Sequence, residues 1–177
     1  MSNNHQTLVL GGGCFWCLEA VFQSCKGVVS VTSGYTDGNT DNPSYSEICT
    51  GTTGHAEVIL IEFNPNIISI NELLQVFFVI HDPTTLNRQG NDQGTQYRSI
   101  ICYTNEQEKQ TIKDFIKRLQ ADSDSAIVTQ IKKLSQFYKA EAEHQNYYKQ
   151  NSSQAYCQMV IKPKLNKLSQ LKHLLSD

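Results

Sequence analysis

Hydrophobic and polar positions along this chain alternate with two periods, and the changes between them mark out the elements. Thr7-Leu8-Val9-Leu10 is a short apolar run that reads as a strand, and Phe15 to Ser24, after a glycine turn, reads as a helix. Beyond the Lys26-Gly27 break, Val28-Val29-Ser30-Val31-Thr32 is β-branched enough for a second strand. Glu57 to Phe63 is a third, closed by Asn64-Pro65. Ser69-Ile70-Asn71-Glu72 carries the residues of a capping box, which opens an apolar helix to about Ile80. Tyr97 to Tyr103 predicts a fourth strand. Asn105-Glu106-Gln107-Glu108 is a second capping match, and its helix sets Ile112, Phe115, Ile116 and Leu119 on one face. Ala126 to Ile131 reads as a fifth strand and Glu141 to Gln150 as a short helix. Pro163 introduces a last amphipathic helix with Leu165, Leu168, Leu171, Leu174 and Leu175 along one side.

The order β-α-β, then β-α-β predicts an α+β fold: a two-layer α/β sandwich on a ferredoxin-like split βαβ core, with a C-terminal extension. At 177 residues the chain reads as one domain, 1–177, without repeats or an interdomain linker. Two stretches fit no element. Residues 37–56 and 82–96 are rich in Gly, Asn, Asp, Thr and Pro, and loops of that length in a compact domain are usually functional or disordered. Each contains or adjoins a tyrosine and an acid: Tyr45 and Glu57 for the first, Asp92 and Tyr97 for the second. Function is the better reading, with both loops folded over the glycine turn.

Composition narrows the classes. Charged residues are 18% and hydrophobic ones 39%, which fits a folded soluble protein. No apolar run nears the ~20 residues of a membrane span, and Met1-Ser2-Asn3-Asn4-His5-Gln6 lacks the basic and apolar regions of a signal peptide. With a net charge of −2 and no dense basic patch, nucleic-acid binding is disfavoured. Six scattered cysteines without an export signal read as reduced thiols, a few of them redox-active, in a cytoplasmic protein.

Candidate chemistry centres on Gly11-Gly12-Gly13-Cys14-Phe15-Trp16-Cys17. A cysteine where a glycine turn becomes a helix meets unpaired N–H groups and the positive end of the helix dipole. Both favour thiolate, so Cys14 is expected to titrate in the lowered range of ~3.5–7.5. Phe15 and Trp16 put an apolar surface beside that nucleophile. A thiolate displacing oxygen needs a proton donor, and Glu57 is the best candidate acid, because burial keeps a carboxyl protonated; a solvated strand-edge glutamate is the alternative. Tyr45 and Tyr97 offer O–H donors or are ordinary packed tyrosines, and Asp92 is a site residue or a turn-former. The glycines lack the Lys-Ser/Thr of a phosphate loop, and Trp16 stands where a dinucleotide fingerprint needs its last glycine. Cys14 and Cys17 have no second close pair with which to hold structural zinc.

Several separate motifs, in order, resemble the A-type methionine sulfoxide reductases, the peptide-methionine (S)-S-oxide reductases. They are Gly13-Cys14-Phe15-Trp16, Gly34-Tyr35, Asn42-Pro43-Ser44-Tyr45, Thr53-Gly54-His55-Ala56-Glu57, His81-Asp82-Pro83-Thr84-Thr85, Gln89 to Ser99, His144-Gln145-Asn146-Tyr147 and Tyr156-Cys157. The resemblance implies an oxidoreductase for protein repair, acting on methionine sulfoxide in oxidised proteins or as the free amino acid. It implies that Cys14 attacks the sulfoxide sulfur and that Phe15 and Trp16 hold the methyl group. Protonated Glu57, with Tyr45 and Tyr97, would bond and protonate the oxygen, and Asp92 would orient the substrate or a water. Cys14 would become a sulfenic acid, a second cysteine would form a disulfide with it, and thioredoxin would reduce that bond. No metal or bound cofactor is implied.

Asp37 and Ser44 depart from residues common in the family. The resolving cysteine is open between Cys157 and Cys17. The preference is Cys157 acting directly, as an Asn/Ser/Gln-rich arm could reach the sulfur without straining the catalytic helix, with a relay through both as an option. Cys25, Cys49 and Cys102 read as core or loop thiols. The competing functions are a general thiol-disulfide oxidoreductase using Cys14/Cys17 and a non-enzymatic redox or metal sensor.

Overall fold

The computed structural model describes residues 4–177; Met1, Ser2 and Asn3, which entered the signal-peptide reading, lie outside them. The first half runs β1 (Gln6–Gly11), α1 (Phe15–Gln23), β2 (Val28–Thr36), α2 (Tyr45–Cys49), β3 (Ala56–Phe63) and α3 (Ile70–Ile80). The second half runs β4 (Arg88–Gln89), β5 (Asp92–Gln93), β6 (Ile100–Tyr103), α4 (Glu106–Ala121), β7 (Gln130–Lys133), β8 (Tyr138–Lys139), α5 (Tyr147–Asn151) and α6 (Lys162–Lys167). The main sheet has the order β7-β6-β1-β3-β2-β8. Its four central strands are mutually antiparallel neighbours, with β3 between β1 and β2, and β1 between β3 and β6. Each β-α-β unit is thus split by a strand of the other, as the pattern of the chain predicts.

Strand alternation divides the core in two. Leu8, Leu10, Ile59, Ile61, Phe63 and Ile101 face α1 and α3, which contribute Leu18, Val21, Phe22, Leu73, Leu74 and Phe77. Val9, Val58, Ile100 and Cys102 face the other way, under Leu134 and Phe137. Each buried Leu, Ile or Phe side chain contributes ~1.5–3 kcal/mol. Glu57 shares the odd-numbered face of β3 with Ile59 and Ile61, so strand geometry alone sends it into the layer that holds α1.

Local expectations hold unevenly. Ser69 and Glu72 close the expected box, with Glu72 N donating to Ser69 Oγ at 3.2 Å and Ser69 N donating to Glu72 Oε2 at 2.8 Å. At α4 only half forms: Asn105 caps Glu108 N at 2.9 Å, while the Glu108 carboxylate reaches one residue further back, to Thr104 N at 2.7 Å. The strand expected from Tyr97 begins at Ile100, because residues 95–97 make a 3-10 turn. The fifth strand lies later than expected, at Gln130–Lys133, parallel to β6. The helix expected over Glu141–Gln150 is broken by Asn146 in the left-handed region (φ 54°). The last helix is a succession of a π-helical turn at Cys157–Ile161, α6 and a 3-10 segment at Leu168–Leu174.

Both long loops are ordered by signals their sequences contain. Ser44 and Glu47 form a full capping box that starts α2, with Glu47 N bonded to Ser44 Oγ at 3.3 Å. Gly90-Asn91 is a two-residue turn that pairs Gln89 with Asp92 in a small hairpin. Arg98, buried, then ties the loops together: it donates to Asp37 Oδ2 and Gly54 O, each at 3.0 Å, and to Thr95 O at 2.8 Å.

Candidate active site

The glycine turn crosses the end of β3 at close range. A Cβ on Gly11 would stand 2.8 Å from the Glu57 carbonyl oxygen and 2.7 Å from Ile100, so only glycine fits. Gly13 has φ 88°, and its N–H donates to Tyr97 O at 3.1 Å, fastening the second loop to the turn. Cys14 follows as the N-cap of α1 and is 7% exposed. Cys17, one turn on, donates its backbone N–H to Cys14 O at 3.1 Å and has its thiol against that of Cys14.

Burial reverses the expected electrostatics of the pair. The Cys14 thiol is pushed well above its ordinary value, first by burial, then by its bond to Cys17 and the nearby Glu57 carboxyl; the Trp16 amide opposes this and loses. The helix start therefore does not by itself make Cys14 the thiolate of the resting site. Cys17 is lowered to about 7, chiefly by the Cys14 thiol and further by the Lys164 ammonium and the Tyr156 hydroxyl. The pair thus keeps its negative charge on Cys17, with Cys14–SH as donor. Glu57 is 2% exposed, and one of its oxygens has no hydrogen-bond partner. Burial holds its carboxyl well above the usual range, and Asp92 and Cys17 add to the shift. It is a buried carboxyl rather than a solvated strand edge, and burial favours its protonated form.

The loops deliver the remaining groups. Tyr45 and Tyr97 lie near Glu57 and Cys14, and burial is the main cause that raises both phenols. Both stay protonated O–H donors. Phe15 is fully buried between Tyr35 and Tyr45, with centroids at 5.6 and 6.4 Å, and backs the site. Trp16 lines it: its ring stacks on Tyr147 at 3.7 Å and 5°, and its indole N–H donates to His144 Nδ1 at 3.2 Å. Cys14, Glu57, Tyr45, Tyr97, Asp92, Phe15, Trp16 and Cys17 are therefore gathered as expected.

Cys157 is placed differently from the arm that the sequence suggests. It is fully buried and opens the π-helical turn rather than a loose segment, and it stands close to Cys17. The residue before it, Tyr156, enters the site instead, donating to Asp92 Oδ2 at 3.2 Å with its oxygen 3.6 Å from Cys17 Sγ. Sequence reasoning gave His144, Tyr147 and Tyr156 no role, although the motifs around them were visible. Cys25 and Cys102, each pushed up to about 12 by burial, are inert core thiols, and Cys49 is exposed.

Among the described residues, Glu141, Glu143 and His144 bring potential metal ligands within 4.8 Å of one another. Two of the three, Glu141 and His144, are committed elsewhere. Glu141 accepts from Tyr35 OH at 3.1 Å and Tyr45 N at 3.0 Å, and His144 Nδ1 accepts from Trp16, which assigns the ring hydrogen to Nε2. Glu141 and His144 brace the aromatic wall.

A pair of thiols in contact, a buried carboxyl and an aromatic surface on a split βαβ sheet are the parts that an oxidoreductase working through cysteine would need. The sequence profile of the family described as peptide methionine sulfoxide reductase matches residues 6–175, and the chain belongs to that family. A protein of Ruthia magnifica subsp. Calyptogena magnifica described as peptide methionine sulfoxide reductase MsrA is 57% identical over 162 residues, 92% of this chain and 97% of its own. One from Acinetobacter baumannii (strain SDF), with the same description, is 54% identical over 97% of this chain and 99% of its own. Among solved structures, reduced Mxr1 from Saccharomyces cerevisiae superposes with a TM-score of 0.83 and 34% identity, covering 89% of this chain and 91% of its own. Mxr1 in complex with Trx2 gives 0.60 at 25% identity, covering 83% and 87%.

Proposed function

We propose that Cys14 attacks the sulfur of a methionine sulfoxide while Glu57 gives its proton to the departing oxygen. The protein is a peptide-methionine (S)-S-oxide reductase, reducing the S epimer, free or in proteins, and thioredoxin restores it. The observation that carries the residue assignment is Glu57: a buried carboxyl, protonated and with one oxygen unpartnered, within electrostatic reach of Cys14. As the substrate enters, Cys17 takes the Cys14 proton, the thiolate attacks, and Tyr45 and Tyr97 bond the oxygen. The sulfoxide is reduced by two electrons to methionine, which leaves, and Cys14 is oxidised to the sulfenic acid. Trp16, backed by Phe15, receives the methyl group, and Asp92 orients the substrate.

Cys17, already against Cys14, is the better placed first resolving residue, and Cys157, close to Cys17, the second. This relay replaces the direct Cys157 route, whose premise of a flexible arm is absent. The likeness to Mxr1, solved with Trx2, supports thioredoxin as the partner that reduces the final disulfide. The chemistry calls on no bound cofactor, one domain suffices for it, and a reducing cytoplasm is the setting in which six free thiols persist. A general thiol-disulfide exchange enzyme would need neither the proton donor nor the aromatic wall.

The test is single-turnover reduction of each methionine sulfoxide epimer by prereduced protein. Methionine from the S epimer and none from the R epimer is the expected result. Equal yields, or none, would overturn the reading.

A further inference from the structure

Tyr156 has one hydroxyl hydrogen and two acceptors competing for it. Its oxygen lies 3.2 Å from Asp92 Oδ2 and 3.6 Å from Cys17 Sγ. A phenol donates to one acceptor at a time. With the hydrogen on Asp92, Cys17 meets the phenol only as a thiol, donating S–H to its oxygen. With the hydrogen on Cys17, the sulfur is accepted as a thiolate and Asp92 loses its donor. The ring stands edge-on to Trp16, with centroids at 5.8 Å and an interplanar angle of 82°, so the oxygen leaves this position only if the residue moves.

That residue directly precedes Cys157. The two ends of the C-terminal segment are tied elsewhere: Tyr147 to Trp16 by stacking, Lys26 N to Leu174 O at 2.7 Å and Ser176 N to Ser24 O at 2.8 Å. Between them, the Tyr156 hydroxyl is a polar tie from the Cys157 turn to the site, and Cys157 behind it is shut off from solvent.

We propose that Tyr156 is a positioning residue for the recycling half of the reaction: its hydroxyl holds Cys17 for attack on the oxidised Cys14, and the same contact keeps the Cys157 turn closed until Cys17 is consumed. The inference rests on Cys17 resolving first. In that step the Cys17 thiolate attacks the Cys14 sulfenic sulfur. The S–O bond breaks, the S–S bond forms, and the oxygen leaves as water, with its own hydrogen and the proton that Cys17 had taken from Cys14 and gives up on attacking. A disulfide sulfur has no hydrogen to donate and is a poor acceptor, so the Tyr156–Cys17 bond is lost and the turn is free to open. The Cys157 thiolate then attacks the Cys17 sulfur, and Cys14 departs as a thiolate. No outside oxidant enters. The lowering of Cys17, to which the Tyr156 hydroxyl contributes, agrees with this arrangement.

Tyr156→Phe removes the oxygen and keeps the ring. The readout is iodoacetamide alkylation of each cysteine in reduced protein, followed by peptide mass spectrometry across a pH series. Three changes are expected: the Cys17 midpoint moves up by about half a pH unit or more, Cys157 is labelled about tenfold faster, and disulfide formation after one turnover slows more than methionine release. Asp92→Asn removes the competing charge and moves the Cys17 midpoint down, an opposite sign that simple loss of packing does not produce. An unmoved Cys17 midpoint, or unchanged Cys157 protection, in Tyr156→Phe overturns the inference. Normal thioredoxin-driven turnover by Cys17→Ser sinks instead the reading beneath it. Turnover lost in Cys17→Ser, with wild-type labelling in Tyr156→Phe, removes the inference alone.

Discussion

The glycine turn and the C-terminal segment each bring a cysteine to one site, and they are held in opposite ways. Residues 11–17 are clamped by backbone: Gly11 is pressed against β3, Gly13 N is bonded to Tyr97 O, and α1 buries Phe15, Leu18, Val21 and Phe22. Residues 147–175 are short pieces of α, π and 3-10 helix, interrupted at Leu171 (φ −115°, ψ 31°), and side-chain packing holds them, with Cys157, Ile161, Leu168, Leu171 and Leu174 buried in the main core. Helices that short are marginal without tertiary contacts, so this packing, and not the helices themselves, keeps the segment in place. The difference follows the chemistry. A nucleophile needs its geometry fixed before substrate arrives, whereas a cysteine that must carry a disulfide outward needs a segment that can leave.

The hardest test of the rigid side is Cys14→Ser, expected to abolish methionine formation even in one turnover with the fold intact. Any retained single-turnover methionine in folded variant protein would remove Cys14 as nucleophile. For the C-terminal side, Cys157→Ser should release one methionine per enzyme yet lose thioredoxin-driven turnover. Cys17→Ser should do the same but release its methionine more slowly, because it also lacks the group that takes the Cys14 proton. Peptide mapping of oxidised wild type should then show a Cys17–Cys157 bridge. A Cys14–Cys157 bridge, with Cys17→Ser fully active, would restore the direct route.

Glu57→Gln keeps shape but has no proton to give, so sulfenic acid formation should slow by ~10²-fold or more. The same substitution has a signed effect on stability. The Glu57 carboxyl titrates well above the ~4.3 of a free glutamate. Between those values the unfolded chain is ionised and the folded one is not. The contribution is therefore full below ~4.3 and is lost as pH rises towards the folded value. Relative to wild type, Glu57→Gln should gain in melting temperature from pH 4 to pH 7; a constant difference would mean that Glu57 folds ionised.

The smallest effect probes the seam between the two regions. Glu19 of α1, buried, accepts from Asn146 N at 2.7 Å and Tyr147 N at 3.2 Å. Glu19→Ala should cost about 1–3 kcal/mol and appear as faster proteolysis within 147–175. Cleavage at the wild-type rate would show that the stacking on Trp16 holds the segment alone.

What was legible in the sequence was local. Strand and helix periods, the Ser69-Glu72 box and the glycine-to-cysteine turn are set by neighbours a few residues apart, whose steric and hydrogen-bonding demands do not wait for the fold. The Ser44-Glu47 box and the Gly90-Asn91 turn were legible by the same rules and were passed over as loop. The split sheet followed from element order, because connections of that kind have few right-handed solutions. That the candidate groups lie together in the fold has the same origin: each sits at a boundary that its own segment defines.

The tertiary structure decided everything that depends on what lies across from a residue. Asn146 breaks a helix that its local pattern favours, where the Asn146 and Tyr147 amides meet the Glu19 carboxylate 127 and 128 residues away in sequence. Tyr156 reaches Asp92 over a separation of 64 and Cys17 over 139. The clearest case is the charge. A helix start argues for a thiolate at Cys14, yet in the folded chain burial, the bond to Cys17 and Glu57 push that thiol up, while the Cys14 thiol first, then Lys164 and Tyr156, lower Cys17. Helix position is written in adjacent residues; desolvation and long-range Coulomb contacts exist only once the chain has closed around them.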